Sequence, residues 1–344
     1  MKILIRDRNE IVVFDNCNSQ CLDCESKCTN FGHVCSCSLT PGEELRQGKI
    51  KNQDGSFFLC SGRSFAKTTN LFKEKLNILI NTTDSIKKIQ SEIKLKEQER
   101  YEKIVHNLKT LNAKSIQDQF DFISQNTLSQ NYRNQLEIIS KEIQNNPDKA
   151  AFTFLKLIKH NADIKTEFTA HEKLSVEDPI LTFTKHNIKK VILNVYHSFY
   201  FDLKKLNIDL YIADSAKSLI FDYETVRLAF YHLFDNSVKY IKPKSKLNIV
   251  YLDNNDSFSI IFEMTSIHIK NTEYERIFAD YYSGENVIKS NKQGNGLGMG
   301  LIKKALKLNN ATIVVKAGSD IEKIKKIEYS INQFIIDFKY PVDY

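Results

Sequence analysis

The sequence predicts an α+β protein built from a small cysteine-rich region, a central helical hairpin and a C-terminal α/β sandwich. Three observations support this prediction. Six of the seven cysteines lie between Cys17 and Cys37, residues 65–175 are nearly free of glycine and proline, and residues 178–344 alternate strand-like with helix-like segments. A chain of 344 residues with 42% hydrophobic residues is long enough for two or three domains, each with a core.

The first predicted domain, residues 1–64, opens with a strand pattern. KILIRDRNEIVVFD alternates in part around a polar centre, which is typical of a small β-hairpin, and DGSFFLCSGR predicts a turn and a strand that carries Cys60. This domain has too few apolar residues for a stable core of its own, so a bound metal would help to hold it together.

The cysteines of this domain are close enough in sequence for several thiolates to converge on one ion or cluster. The candidate ligands are Cys17, Cys21, Cys24, Cys28, Cys35 and Cys37. In a reducing compartment such a cluster indicates metal or redox chemistry before it indicates disulfides. A structural Zn²⁺ site, an iron–sulfur cluster that senses oxygen or redox state, and loose thiols or disulfides all remain open.

The second predicted domain, residues 65–175, is helical. Its first helix carries an apolar seam, QNTLSQN is expected to break that helix, and Asn146-Pro147 indicates a restart. The seam residues are Ile86, Ile89, Ile93, Ile104, Leu108 and Leu111, followed in the second helix by Phe154, Leu155, Ile158, Ala162 and Ile164. Two antiparallel helices with apolar seams rarely stand alone, so we expect a homodimer in which two hairpins form a four-helix bundle.

The third predicted domain, residues 178–344, alternates the two element types. The expected helices are NIKKVILNVYHSFYFDLKKL, YETVRLAFYHLFDNSVKYI and GLGMGLIKKALKLNN. The expected strands are NIDLYIAD, SLIFD, ATIVVKAG and KIEYSINQFIIDF, with KLNIVYLDNNDSFSIIFEM as a hairpin. This order predicts a mixed sheet covered by helices on one face.

Charge and hydropathy exclude some classes of protein. The net charge of +7 is mild and the basic residues are interleaved with acidic ones, which favours a solvated surface over nucleic-acid binding. No apolar run approaches the ~20 residues of a membrane span. The charged start MKILIRDRNEIVVFD is not a signal peptide. We therefore expect a cytoplasmic protein without a membrane segment.

Two motifs in the third domain point to phosphate chemistry. His232 and Asn236 are four residues apart and share one helical face, opposite Phe230 and Phe234. An asparagine in an apolar helix either bonds to nearby backbone or binds Mg²⁺ beside a nucleotide, where His232 could handle a proton. Four glycines precede the last helix and could bring backbone N–H groups against phosphate: Gly294, Gly296, Gly298 and Gly300.

The third domain resembles the ATP-binding domain of sensor histidine kinases, a superfamily shared with DNA gyrase, a heat-shock chaperone and a mismatch-repair ATPase. HLFDNSVKY looks like its Asn box, ERIFADYY like its Phe box and GNGLGMGL like its second Gly-rich box. The resemblance implies a histidine-kinase-type ATPase sandwich that binds ATP and Mg²⁺. It implies that Asn236 coordinates Mg²⁺, Lys239 approaches phosphate and Tyr240 packs near the nucleotide. The segment between Phe278 and Gly294 would be a mobile lid.

One motif departs from this family. The family carries Asp-x-Gly-x-Gly between the Asn and Phe boxes, and its aspartate reads the adenine amino group. Here the stretch is EMTSIHIK, with Met264 at the aspartate position and Ser266 and His268 at the glycines. Glu263 is one residue away and on a strand would point to the other face. Adenine recognition is therefore the weak point of the predicted site.

The helical hairpin fits the same family. The resemblance implies a phospho-accepting histidine on its first helix, and YEKIVHNLKTLN supplies His106, which points away from Ile104 and Leu108. Thr110 matches the family's box, whereas Asn107 replaces an acidic residue that helps as a base. A slower or altered activity is expected.

Together these features predict a sensor histidine kinase-like phosphotransferase of a two-component system. It would bind ATP and Mg²⁺, autophosphorylate on His106 and pass the phosphoryl group to an aspartate of a response-regulator receiver domain. The cysteine-rich domain stands where this family keeps its input domain, which favours a metal or redox sensor. An alternative is a catalytically degenerate dimeric sensor or scaffold. A zinc-finger regulator of nucleic acid is a third hypothesis, but the basic patch it needs is missing.

Overall fold

The computed structural model describes residues 2–17, 19–27, 34–36, 45–53, 55–62, 64–65, 67–292, 294 and 296–340. The chain divides into two compact units, Met1–Lys103 and Ile104–Tyr344. This division falls within one long helix. The three-domain boundaries at 64 and 175–178 stay a prediction.

The first unit contains an antiparallel five-stranded sheet. In chain order its elements are β1 (Lys2–Asp7), β2 (Val12–Asp15), α1 (Ser19–Lys27), β3 (Val34–Ser36), β4 (Leu45–Asn52) and β5 (Gly55–Gly62). The strands lie in the order β2-β1-β5-β4-β3. The predicted N-terminal hairpin is confirmed, with Ile5 opposite Phe14, and the DGSFFLCSGR strand is β5.

A helix covers one face of this sheet. The helix α2 (Thr69–Asn81) begins where the Thr68 side chain accepts a hydrogen bond from Leu71 N, a normal N-cap. Its Phe72 and Leu76 are buried against Phe57 of β5. The much longer α3 (Thr83–Phe122) follows after a single residue. The first unit therefore has a small apolar core in which α2 packs on the sheet.

The second unit begins with the C-terminal part of α3 and three further helices: α4 (Gln125–Gln130), α5 (Gln135–Asn145) and α6 (Pro147–Thr169). QNTLSQN was expected to break the long helix, but QNTLSQ is itself α4. The break lies just before it, because Ser124 caps α4 by accepting from Thr127 N at 3.1 Å. Pro147 is the first residue of α6, as predicted, although Asn146 makes no side-chain cap. A π-helical turn, Ala170–Leu174, ends the hairpin.

The rest of the second unit is a mixed α/β fold. Its elements are β6 (Phe183–Asn187), α7 (Ile188–Tyr196), α8 (Tyr200–Lys205), β7 (Asp209–Ile212), β8 (Ser218–Asp222), α9 (Tyr223–Tyr240), β9 (Lys246–Asp253), β10 (Ser257–Ile267), α10 (Glu285–Lys289), α11 (Gly298–Lys307), β11 (Ala311–Ala317), β12 (Glu322–Ile324) and β13 (Ile327–Lys339). The main sheet has the order β11-β13-β10-β9-β7, with β12 beside β13. β7 and β9 are parallel and the other pairs antiparallel, so the predicted mixed sheet is confirmed.

Alternation along β10 explains where the core lies. Ile260 and Phe262 are fully buried, and Phe262 packs against Phe230 and Phe234 of α9. Burial of one such side chain stabilises the fold by roughly 1.5–3 kcal/mol. α9 therefore lies on this face of the sheet, as the apolar pattern of its sequence predicts.

A buried polar network fixes the start of α9. Asp222 accepts hydrogen bonds from Lys173 Nζ at 2.7 Å, Thr182 N at 2.9 Å and Thr225 N at 3.0 Å. Asn309, just after α11, accepts from Asp222 N and donates to Thr225 Oγ1. Burial alone would raise the pKa of Asp222, but its partners, led by Lys173, hold that pKa below its ordinary value.

The helices of the described segments differ from membrane spans in length or in composition. None combines the length and the apolar character that crossing a bilayer requires.

Candidate functional site

The candidate site lies where α9 meets the start of α11. The Nδ2 of Asn236 lies 3.2 Å from the sulfur of Met299. A Cβ atom built on Gly298 would lie 3.5 Å from both the Oδ1 and Nδ2 atoms of Asn236. Gly298 therefore lies directly beside the Asn236 amide, where a side chain would make van der Waals contact with it.

The glycine-rich segment needs its glycines for different reasons. Gly296 has φ +66°, and a Cβ there would lie 2.6 Å from the carbonyl carbon of Tyr281. Its carbonyl oxygen accepts from Tyr281 N at 2.9 Å. A Cβ on Gly300 would lie 2.4 Å from Asp280 Oδ1, whereas one on Gly294 would lie 4.0 Å from Lys239 Nζ. Gly296 and Gly300 thus permit close packing, and Gly294 places backbone beside a cation.

Among the described residues, the backbone N–H groups of Gly298, Met299 and Gly300 at the start of α11 have no hydrogen-bond acceptor. Its first internal hydrogen bond runs from Leu301 N to Leu297 O, and Leu297 supplies no side-chain cap. The N–H groups of the first turn therefore face outward, where the helix dipole favours an anion. Lys239 is exposed nearby and pairs with Asp235 at 2.5 Å. This end of the site has the donors and the charge that phosphate requires.

His232 lies one turn before Asn236 on α9, as the sequence predicts. Its Nε2 atom is buried and has no hydrogen-bond partner among the described residues. Burial lowers the pKa of His232 to about 4, so the imidazole is neutral at pH 7. Burial also raises the pKa of the Tyr240 hydroxyl at the end of the same helix. Because the lowered pKa disfavours protonation, His232 is a weaker base here than an exposed histidine.

The other end of the candidate site lies on β10. Met264 is 3% exposed and belongs to the hydrophobic core. Glu263 lies on the opposite face, where its carboxylate accepts from Gln333 at 2.7 Å and Asn248 at 3.4 Å. The expectation that a one-residue shift would turn Glu263 away is therefore confirmed.

The predicted phospho-acceptor lies on α3. His106 and Thr110 are exposed, and Thr110 Oγ1 donates to His106 O at 2.9 Å. Asn107 Nδ2 lies 3.5 Å from Glu167 Oε2 on α6. Within the described ranges no hydrogen bond or ion pair joins the His106 side chain to α9. The fold thus assembles Asn236, Lys239 and the glycines, but leaves His106 and Thr110 outside that group.

Most of the cysteine prediction falls outside the described residues. This holds for Cys28 and Cys37 entirely and for the side chains of Cys21, Cys24 and Cys35. Cys17 is half-buried and Cys60 buried, and both pack with Leu4 and Phe58. Where side chains are described, no group of three or more His, Cys, Asp or Glu residues is placed to hold a metal ion.

Several residues of the site were not identified from the sequence. Met299 contacts Asn236, Asp235 pairs with Lys239, and Asp280 contacts Gly300 and pairs with Lys304 at 2.7 Å. The i,i+4 spacing of Asp235 and Lys239 could have revealed that pair. The Asp280 contact joins segments 20 residues apart and leaves no local pattern.

Comparison with known proteins agrees with this geometry. Residues 221–329 match the family described as histidine kinase-, DNA gyrase B- and HSP90-like ATPase. No curated protein matches the sequence. Among solved structures, the catalytic domain of histidine kinase ThkA is 19% identical, over 46% of this chain and 96% of that one, with a TM-score of 0.38.

Two longer matches also involve histidine kinases. ThkA in complex with the response regulator protein TrrA is 14% identical, over 98% of this chain and 95% of that one, with a TM-score of 0.38. The Acinetobacter baumannii histidine kinase AdeS is 15% identical, over 68% and 96%, with a TM-score of 0.36. The family match coincides with the elements that carry Asn236, Met264 and the glycines. Over residues 221–329 the chain is therefore similar to the histidine kinase-, DNA gyrase B- and HSP90-like ATPases.

Proposed function

We propose that the chain is a protein-histidine kinase that binds ATP with Mg²⁺ and phosphorylates itself on His106. The observation that carries this proposal is the convergence of Asn236, Lys239 and the glycine-rich segment, within a domain of the ATPase family. Lys239 and the first N–H groups of α11 would bind the phosphate chain.

The residues present fit a magnesium ion at the phosphate end. The Asn236 amide lies directly beside Gly298 at the start of α11, and an amide oxygen is a normal Mg²⁺ ligand. Asn236 would hold the ion, which when bound neutralises part of the charge on the phosphates. Its Nδ2 atom faces Met299, so the oxygen remains for this role.

The proposed transfer is an in-line displacement. The neutral imidazole of His106 forms a bond to the γ-phosphorus as the bond to the leaving ADP oxygen breaks. His106 is exposed, so it can reach a nucleotide bound to another domain or to another copy of the chain. Thr110 and Asn107 flank it on α3, and the absence of an acidic residue at 107 favours a slow reaction.

Autophosphorylation is tested by incubating the purified protein with γ-labelled ATP. We expect an acid-labile label that is lost in His106→Ala and retained in His197→Ala, a matched substitution of another exposed histidine. A label that survives acid, or that is kept by His106→Ala, would contradict His106 as the acceptor.

We further propose that the hairpin forms a homodimer. Apolar side chains on α3 and α6 remain exposed, among them Ile116 (43%) and Phe154 (65%). A second copy would cover them in a four-helix bundle. Mass measurement by light scattering should give a dimer that Phe154→Asp weakens. A monomer at micromolar concentration contradicts this proposal.

The onward acceptor in this proposal is the aspartate of a response-regulator receiver domain. His106 is exposed on the hairpin, where such a domain could approach it. Label transfer from the phosphorylated chain to a purified receiver domain tests this step. For the N-terminal cysteines we propose a zinc or iron–sulfur sensor on the basis of their spacing. Metal analysis and the absorption spectrum of anaerobically purified protein distinguish the two.

The second candidate function is a degenerate dimeric sensor or scaffold that binds a partner without phosphorylating itself. The observation that favours it is the buried Met264 at the position where the family carries its adenine-reading aspartate. This candidate predicts no label and no heat of binding when ATP is titrated into the protein. Either a label or measurable nucleotide binding excludes it.

A further inference from the structure

The base end of the candidate site is formed by the paired strands β10 and β13. Met264 lies opposite Asn332, and Ser266 lies opposite Ser330. All four side chains are buried, with exposures of 3% or less. They point to the same face of the sheet as Phe262, and the resemblance to the ATPase family places the base of a nucleotide at this face.

The polar groups on this surface bond to one another. Asn332 Nδ2 lies 2.7 Å from Ser266 Oγ and 3.0 Å from Ile267 O, and Asn332 Oδ1 accepts from Ser330 Oγ at 3.1 Å. Ser330 Oγ also lies 2.9 Å from His268 Nδ1. The fold itself satisfies these groups, so they gain little by contacting a base.

The carboxylates described at this end already accept hydrogen bonds from the protein. Glu273 is 2% exposed and accepts from Tyr282 OH and Glu285 N, each at 2.8 Å. Glu328 accepts from Asn286 Nδ2 at 3.3 Å. With a third hydrogen bond from Lys270 N at 3.1 Å, the Glu273 carboxylate is occupied within the protein and has little capacity left for the amino group of an incoming adenine.

The segment between Phe278 and Gly294, which was expected to be a mobile lid, also bonds to the base end of the site. Asn286 of α10 is 3% exposed, and its Nδ2 donates to His268 O at 3.0 Å. Lys270 pairs with Glu285 at the start of α10. These contacts fix the first part of the lid segment to the end of β10, next to the serine and asparagine network.

We propose that this site recognises the triphosphate and does not distinguish adenine from guanine, because its base end carries Met264 and a self-bonded polar surface. The inference rests on the proposed nucleotide site. It specifies the ligand class as a Mg²⁺-bound nucleoside triphosphate of either purine. Met264 is then the residue that determines base selectivity.

The test is calorimetric titration of the whole chain with ATP, GTP and inorganic triphosphate, each with Mg²⁺. We expect the three dissociation constants of the wild-type protein to lie within about tenfold of one another. In Met264→Asp a carboxylate at this position should make ATP bind about 10- to 100-fold more tightly than GTP. Glu263→Gln, on the opposite face of the strand, is the control and should leave the ratio of ATP to GTP affinity unchanged.

The possible outcomes separate this inference from the proposed function. A wild-type preference for ATP over GTP of more than about tenfold overturns the inference. It still supports the proposed nucleotide site, because ATP binds. A changed ratio in Glu263→Gln also overturns it, because the base would then be read from the other face. Failure of all three ligands to bind overturns the proposed function and the inference with it. The wild-type ratio decides the question even if Met264→Asp does not fold.

Discussion

The phosphate end and the base end of the candidate site are built from different kinds of groups. At the phosphate end, Gly298 lies beside the Asn236 amide, Gly294 places backbone beside Lys239, and Lys239 supplies charge. At the base end, Met264 and Asn332 are buried and the polar groups bond to one another. In the proposed site, phosphate binding would depend mainly on backbone and charge, whereas base recognition would depend on one side chain. One end can therefore change its function while the other keeps its own.

The largest effect should come from a change in the buried network at the start of α9, the helix that carries Asn236. Lys173→Met leaves the buried Asp222 carboxylate without its cation at the start of α9. We expect the free energy of unfolding to fall by about 3–5 kcal/mol, measured by urea unfolding. Lys165→Met removes an exposed contact to Glu224 and should cost less than about 1 kcal/mol. An equal loss in both variants would contradict this account of the network.

The next largest effect should be a pH dependence of the free energy of unfolding. It arises from His232 on α9, the helix that also carries Asn236. The folded-state pKa of His232, about 4, lies below the unfolded value near 6.5, so the unfolded state binds the proton more readily. Protonation of His232 therefore has little effect on the free energy of unfolding above about pH 6.5. It destabilises the fold increasingly as the pH falls towards 4. We expect His232→Gln to recover roughly 2–3 kcal/mol at pH 4 and nothing at pH 7. A difference that is independent of pH would argue against a buried neutral histidine.

Asn236→Ala tests the phosphate end alone. Loss of the amide oxygen should weaken Mg²⁺–triphosphate binding about 10- to 100-fold, because hydrogen bonds and ligands to charged groups are worth more than neutral ones. The comparison is with Asn248→Ala, which removes an amide that bonds to Glu263 on the other face of the sheet. The ratio of ATP to GTP affinity should be the same in both variants. Unchanged triphosphate affinity in Asn236→Ala would remove this residue from the site.

Asn332→Ala tests the base end. It removes the amide that bonds to Ser266 and Ile267 and leaves their buried acceptors unpaired. We expect a loss of about 1–3 kcal/mol in unfolding free energy, with triphosphate affinity almost unchanged in the folded protein. If triphosphate affinity fell as far as in Asn236→Ala, the two ends would not be separable.

The smallest effect should come from the glycine-rich segment. Gly296→Ala places a Cβ at φ +66° and 2.6 Å from the Tyr281 backbone, which should cost about 1–2 kcal/mol of stability. Gly298→Ala meets Asn236 only at ordinary contact distance, 3.5 Å, and should cost less. Thermal unfolding of the two variants checks this order. If Gly298→Ala were the more destabilising of the two, this account of the backbone at Gly296 would be wrong.

Local patterns in the sequence predicted most of the elements. The N-terminal hairpin, the apolar face of α9, the β9–β10 hairpin and Pro147 at the start of α6 all follow from spacing or from known terminal preferences. The short strand β6 was missed because FTKHN has no alternation of apolar and polar residues. SLIFD was predicted as a strand, but its pairing with β6 outside the main sheet was not.

The sequence by itself identified Asn236, Lys239 and the glycines at one end of the candidate site, Met264 at the other, and the order of the elements that carry them. It also determined that Met264 and Glu263 face opposite sides, because side chains alternate along a strand. The tertiary structure decided what each group bonds to. The contacts of Asn332 with Ser266 and of Asp222 with Lys173 join residues 66 and 49 positions apart. No local pattern encodes such pairs, since they exist only once packing has brought the strands and helices together.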